Sequence, residues 1–318
     1  MTITIYQARK ILTMNPANPE GTHIAVRDGL ILGVGCLDEV AGWGDYELDD
    51  TFKDHVIVPG FVEAHAHIMA AGIMQLPYVG FFDRKLANGS TAPGIRSYDA
   101  LLVKLKEEDR KLDDPNAPLV AGGFDPIYFP EEPRLTKQHL DQVSSTRAIY
   151  LHHASGHLAT VNTAMLTRNN VTKDLMIEGL GRSADGELDG ELREPPAMGT
   201  CKDAMRIVHF ANSTESALRD FGDMARNAGI TTCTDLAGQA ILVPKVLSMW
   251  RTITAEEAYP LRIAQYNIPA IPGSDTDFES VAEQFVDLKN SATEKLRFPG
   301  VKFVLDGSIQ GFSALIKE

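Results

Sequence analysis

Two histidines one residue apart, His65 and His67, are the side chains whose type and spacing point most directly to chemistry. They close the segment Val58-Pro59-Gly60-Phe61-Val62-Glu63-Ala64-His65-Ala66-His67. Residues i and i+2 of a β-strand project from the same face, so an extended backbone brings both imidazoles to one side. Zinc, iron and manganese all accept imidazole nitrogen, and two such groups side by side read as two ligands to one metal. An H-x-H triplet alone is a common accident of sequence. Here it follows an apolar run ending in Pro-Gly and precedes small residues, the setting of a strand that delivers side chains to one end of a sheet.

A second polar group sits in apolar surroundings near the end of the chain. Lys302, between Val301 and Phe303, has to bury an ammonium, which is costly unless paired. Asp306 lies four residues further on the same strand face, so an ion pair between the two is one reading. In Asp306-Gly307-Ser308 the carboxylate is also a turn former or a substrate contact.

The elements that must position these groups follow from patterning. Ile24 to Arg27 and Leu30 to Val34 are β-type runs joined by Asp28-Gly29, a strong hairpin signal, and residues 1–55 read as a small N-terminal β-domain. Val56 to His67 is expected to form the next strand. Between about 70 and 210 the alternation is lost, with helical pieces at Tyr98 to Leu105 and Thr136 to Val143, and this stretch reads as a large insertion, a lid. From residue 213 regularity returns. Leu218, Phe221, Met224, Ala225 and Ala228 fall at helical spacing, with Ser213 or Thr214 as cap and Gly229 at C′.

A strand from Ile230 to Leu236, a helix from Ile241 to Thr252, a strand from Leu261 to Tyr266, a helix from Phe278 to Leu288 and a strand from Val301 to Leu305 follow. Strict alternation implies a parallel sheet, and with Val56 to His67 it gives four strands, half of an eight-stranded barrel. The expected fold is α/β: the first half of a (β/α) TIM-type barrel over residues 56–318, with the insertion after its first strand.

Composition narrows the partners. The 318 residues are 44% hydrophobic, which fits a folded protein, and a formal net charge of -13 with a pI of about 5.2 argues against nucleic acid or an anionic membrane. Cys36, Cys201 and Cys233 form no C-x-x-C pair and read as reduced, mostly buried thiols. No basic N-terminal region leads into an apolar stretch, and no run approaches 18 apolar residues, so the expected compartment is the cytoplasm.

The segment Val58 to His67 resembles the first-strand signature of the amidohydrolase superfamily. Gly156-His157-Leu158-Ala159-Thr160-Val161-Asn162, Gly229-Ile230-Thr231-Thr232-Cys233-Thr234-Asp235 and Val301-Lys302-Phe303-Val304-Leu305-Asp306-Gly307-Ser308 are similar to the branch that includes N-substituted formamide deformylases. Gly190-Glu191-Leu192-Arg193-Glu194 also resembles a family segment, although Glu194 reads equally as a cap or surface acid. The resemblance implies hydrolysis of a carbon-nitrogen bond other than a peptide bond, in an amide- or formamide-type small molecule, by a metal-activated hydroxide.

It also implies a divalent metal, zinc foremost with iron or manganese as alternatives, as one or two ions. His65 and His67 would be ligands, and Lys302, the counterpart of a lysine that is often carboxylated, would bridge two metals. His157 and Asn162 match a segment close to the pocket and, with Asp306, are the expected substrate contacts. The family's fifth- and sixth-strand metal histidines have no counterpart, since none of the nine histidines follows His209, and the general base is expected beyond residue 318. A catalytically inactive truncated barrel acting as a binding protein is the alternative reading. Homo-oligomerisation is left open.

Overall fold

Asp28 and Gly29 both take positive φ, 54° and 75°, the geometry that lets a two-residue turn match the twist of its flanking strands. The turn joins β2 (Glu20–Arg27) to β3 (Leu30–Gly35), and β2 pairs antiparallel with β1 (Ile3–Leu12). A short helix, α1 (Leu37–Ala41), leads to β4 (Tyr46–Ile57), which runs parallel to β1 and completes a sheet of order β3-β2-β1-β4. Ile3, Ile5, Ala25 and Val40 form its small core. Cys201 and Cys233 are buried free thiols, and Cys36, which precedes α1, is a free and exposed one.

The computed structural model describes residues 2–68, 71–208, 214–270, 275–304, 306, 308–310 and 314–315. The chain forms two compact units, residues 1–61 and 62–318. The single strand expected from Val56 to His67 is in fact two. Val56 and Ile57 end β4, and β5 (Phe61–Ala66) joins a different sheet. Pro59 explains the break, since it lacks a ladder donor and restricts Val58 before it.

After the short helix α2 (Ala71–Met74), the hairpin β6 (Arg84–Lys85) and β7 (Thr91–Ala92), and α3 (Tyr98–Asp109), the second unit builds a sheet of its own. Its strands are β8 (Leu119–Phe124), β9 (Ile149–His153), β10 (Leu158–Val161), β11 (Leu180–Arg182) and β12 (Leu188–Arg193), in the order β11-β12-β10-β9-β8. Only the β8 and β9 pairing is parallel. Leu119, Ala121, Ile149 and Leu151 face a core with Leu101 and Leu105 of α3 and Leu140 of α4 (Lys137–Asp141). Val120, Tyr150, Ala159 and Val161 face another, closed by residues of α5 (Thr163–Arg168), α6 (Glu194–Met198) and α7 (Lys202–Arg206). Both faces are covered, so the strands lack the apolar-polar alternation that would mark them in sequence.

The third large sheet has the order β15-β14-β13-β5. Helix α8 (Glu215–Asn227) begins where Thr214 accepts a hydrogen bond from the Ala217 N–H, and Gly229 follows its C-cap at φ 77°. Ser213, the other expected cap, lies outside the described residues. β13 (Ile230–Gly238), α9 (Pro244–Ala255), β14 (Arg262–Asn267), α10 (Phe278–Asn290) and β15 (Leu296–Val301) alternate as expected, and the β13, β14 and β15 ladders are parallel. Trp250, Ile253, Leu261, Ile263, Leu296 and Phe298 form the core beneath.

The last strand lies five residues earlier than the expected Val301 to Leu305, and Leu305 itself is outside the described residues. β15 contains Pro299-Gly300. Proline is tolerated because β15 is an edge strand among the described residues, where a missing donor leaves no partner unsatisfied.

Candidate metal and substrate site

β5 delivers His65 from its penultimate position, and His67 stands one residue beyond its end. Their rings lie on the same side, centroids 5.1 Å apart and planes at 88°. The backbone N–H of His65 donates to Oε1 of Glu63 at 3.0 Å. Partial desolvation of the His67 ring lowers its pKa, and the neighbouring His65, Lys302 and His157 add to the effect. Each of these favours the neutral imidazole, the form that binds a metal.

The residue after His67 is pinned from below. Asp235 on β13 is fully buried and accepts from the Ala237 N–H at 2.9 Å, from Nε2 of Gln265 at 3.4 Å and from the backbone of Ile68. Burial pushes its carboxyl up to about 6, against those hydrogen bonds. Asp235 thus ties the neighbouring strands to the backbone that carries His67.

His65 and His67 line a cavity of about 530 Å³ together with Ser155, His157, Lys302, Asp306, Ser308 and Gln310. A second cavity of about 550 Å³, lined by Met74, Tyr78, Arg84 and Met224 among others, contains no histidine and none of these residues. The chemistry argues for the first. Gln310 donates to the carboxylate of buried Asp125 at 2.7 Å.

Lys302 follows β15 directly rather than lying within a strand, and its N–H bonds to the Asn267 carbonyl. Asp306 accepts from the Leu315 N–H at 3.1 Å, and among the described residues no ion pair joins it to Lys302. His157 stands in the loop before β10, and its Nδ1 lies 2.9 Å from Oε2 of Glu194. The Glu194 N–H donates in return to the His157 carbonyl at 2.8 Å. Glu194 has φ 62°, a left-handed conformation made less favourable by the proline that follows it; such strain costs on the order of 1–3 kcal/mol.

Asn162 does not belong to this cavity, which corrects its expected role as a substrate contact. It is fully buried as the N-cap of α5. Its Oδ1 accepts from the N–H groups of Ile149 and Met165, and its Nδ2 donates to the carbonyls of Ser144 and Arg147, all at 2.9 Å. No hydrogen-bonding capacity is left for a ligand.

No group of three or more histidine, cysteine, aspartate or glutamate side chains able to hold a metal occurs among the described residues. The chain supplies two adjacent imidazoles, one held towards neutrality, and a lysine on the same cavity. That donor set fits part of a metal centre. Asp235 and Glu194 were not singled out as site residues from sequence, although both lie in segments that resemble the family. The acid closing a strand in Gly229 to Asp235 was the available signal for the first.

The chain belongs to the amidohydrolase family, whose profile matches residues 53–318. It is 23% identical over 321 residues to a Bacillus subtilis (strain 168) protein named as amidohydrolase YtcJ, covering 99% of this chain and 56% of that protein. It is 25% identical over 268 residues to the N-substituted formamide deformylase of Arthrobacter pascens, covering 80% of this chain and 45% of the enzyme. The chain therefore spans about half the length of these curated relatives. Crystal structures of metal-dependent hydrolases from Pyrococcus horikoshii OT3 and Pyrococcus furiosus share its fold, with TM-scores of 0.57 and 0.53 at 15% and 17% identity. Each alignment covers 96% of this chain, against 55% and 57% of those chains.

Proposed function

We propose that this chain is the metal-holding part of a hydrolase that cleaves carbon-nitrogen bonds in amide- or formamide-type small molecules, and that its β15-β14-β13-β5 sheet is the first half of a TIM-type barrel. The observation that carries this is the pair of rings of His65 and His67, side by side on a cavity that Lys302 also lines. The name of the Arthrobacter relative supports the substrate class, and the names of the Pyrococcus structures support metal dependence.

His65 and His67 hold a divalent metal, zinc before iron or manganese, as neutral imidazoles. Lys302 would join them as a carbamate: its ammonium loses one proton, the free amine nitrogen then bonds carbon dioxide and releases a second, and a cation is replaced by an anion. When bound, the metal supplies Lewis acidity and lowers the pKa of water towards neutrality. His157 and Asp306 contact the substrate from the cavity wall, and Asp235 keeps the backbone that carries His67 in place.

The test is zinc-dependent release of formate and amine from N-substituted formamides by the polypeptide that carries this chain with the remaining barrel strands. Turnover should fall at least a hundredfold in H65A and in H67A. Unchanged turnover in both variants contradicts the reading.

A further inference from the structure

Glu194 is held in a strained, left-handed backbone conformation. An acid in the left-handed region immediately before Pro195 is a poor choice on backbone grounds alone, where glycine would fit freely. What this conformation delivers is a carboxylate oxygen 2.9 Å from Nδ1 of His157. The placement is over-determined: Leu158 pairs with Arg193 across β10 and β12, the Arg193 N–H donates to the Gly179 carbonyl at 2.9 Å, and the Glu194 N–H donates to the carbonyl of His157.

An ionised carboxylate only accepts hydrogen bonds, so Nδ1 of His157 carries the proton. A neutral imidazole has a single N–H, which leaves the opposite nitrogen, Nε2, with a free lone pair. His157 lines the same cavity as His65, His67 and Lys302. In its neutral form the ring would therefore offer Nε2 as a hydrogen-bond acceptor, on a residue that lines the same cavity as the metal-ligand pair.

We propose that Glu194 is a positioning residue that fixes His157 as an acceptor towards the cavity, so that the site selects substrates bearing an N–H on the bond to be cleaved. N-monosubstituted amides and formamides qualify, and N,N-disubstituted ones do not. The inference rests on the proposed function of this cavity.

The experiment uses the whole chain with 15N-labelled histidine, at a pH well above the ordinary imidazole range. Long-range proton-nitrogen spectra report which ring nitrogen of His157 is protonated. The native chain should show the Nδ1–H form. E194G, which suits the left-handed backbone and so keeps the fold, should shift the ring to the Nε2–H form. Titration with N-methylformamide should move the His157 Nε2 signal of the native chain, N,N-dimethylformamide should not, and E194G should lose the difference. A native Nε2–H ring, or an unchanged tautomer in E194G, overturns the positioning role. An equal response, or none, to the two formamides overturns N–H selection. Neither spectrum needs metal or turnover, so zinc binding at His65 and His67, measured separately, distinguishes this failure from failure of the metal-site reading.

Discussion

The backbone N–H of Lys302 donates to the carbonyl of Asn267 at 2.9 Å, one residue beyond the last position of β15. The bond carries the β14 and β15 ladder past the strand end and presents Lys302 at the rim of the cavity that His65 and His67 line.

A lysine so placed should take up carbon dioxide only when a metal stabilises the resulting anion. With 13C-bicarbonate and zinc, a carbamate carbon signal is expected in the native chain and not in K302A. It should vanish when zinc is removed by a chelator. A signal that survives chelation would break the proposed coupling.

Asn162 predicts the opposite pattern, a large effect on stability and none on the site. N162A removes the cap of α5 and strands the buried N–H groups of Ile149 and Met165 and the carbonyls of Ser144 and Arg147. The combined loss should be about 2–4 kcal/mol in denaturant unfolding. Zinc binding should be unchanged at temperatures where the variant is folded; weakened binding there would return Asn162 to the site.

Two buried groups set opposing pH responses. Burial pushes His153 down to about 3 from 6.5, so its contribution to stability is present above pH 6.5 and is lost as the pH falls towards 3. Asp235 is pushed up to about 6 from 3.8, so its contribution is fully present below pH 3.8 and is lost as the pH rises through 6. Between pH 6 and 4 the two slopes oppose each other. D235N removes one of them, and its stability should fall with acid more steeply than that of the native chain by about 1.4 kcal/mol per pH unit. Parallel curves for the two proteins would show that Asp235 does not titrate there.

Val62 on β5 is 65% exposed, and Phe303, Val304 and Ile309 after β15 are 57%, 61% and 76% exposed. Apolar surface of this extent next to sheet edges promotes association. The purified 318-residue chain should sediment as a concentration-dependent oligomer, and a F303S/V304S double variant should shift towards monomer. A monomer at every concentration would mean that this surface is inert.

How far the sequence could be read depended on whether the signal was local. The i, i+2 histidines, the Asp28-Gly29 turn and the Thr214 cap of α8 depend on near neighbours, and the structure places the two imidazoles, the turn and the cap as the spacing implied. The five-stranded sheet was not legible, because strands buried on both faces show no period of two. The last strand was expected at the apolar run Val301 to Leu305, whereas β15 spans Leu296–Val301 and holds Pro299, which an edge position tolerates.

Within the site, sequence similarity alone could not separate a residue near the cavity from one that builds its wall. His157 and Asn162 fall in one matching segment, yet one lines the cavity and the other caps a helix. An asparagine directly before a helical run was a capping signal in its own right. Asp235 and Glu194 act through hydrogen bonds to residues far away in sequence, Asp235 to Ile68 and Gln265 and Glu194 to His157, which no local pattern encodes.

The central claim, a metal held by His65 and His67, is tested most directly by titrating zinc into the chain and following the imidazole 15N shifts of its histidines. The account predicts saturable shifts at one nitrogen each of His65 and His67, with His23, His139 and His153 unmoved. Shifts centred on other histidines, or none at saturating zinc, would contradict it.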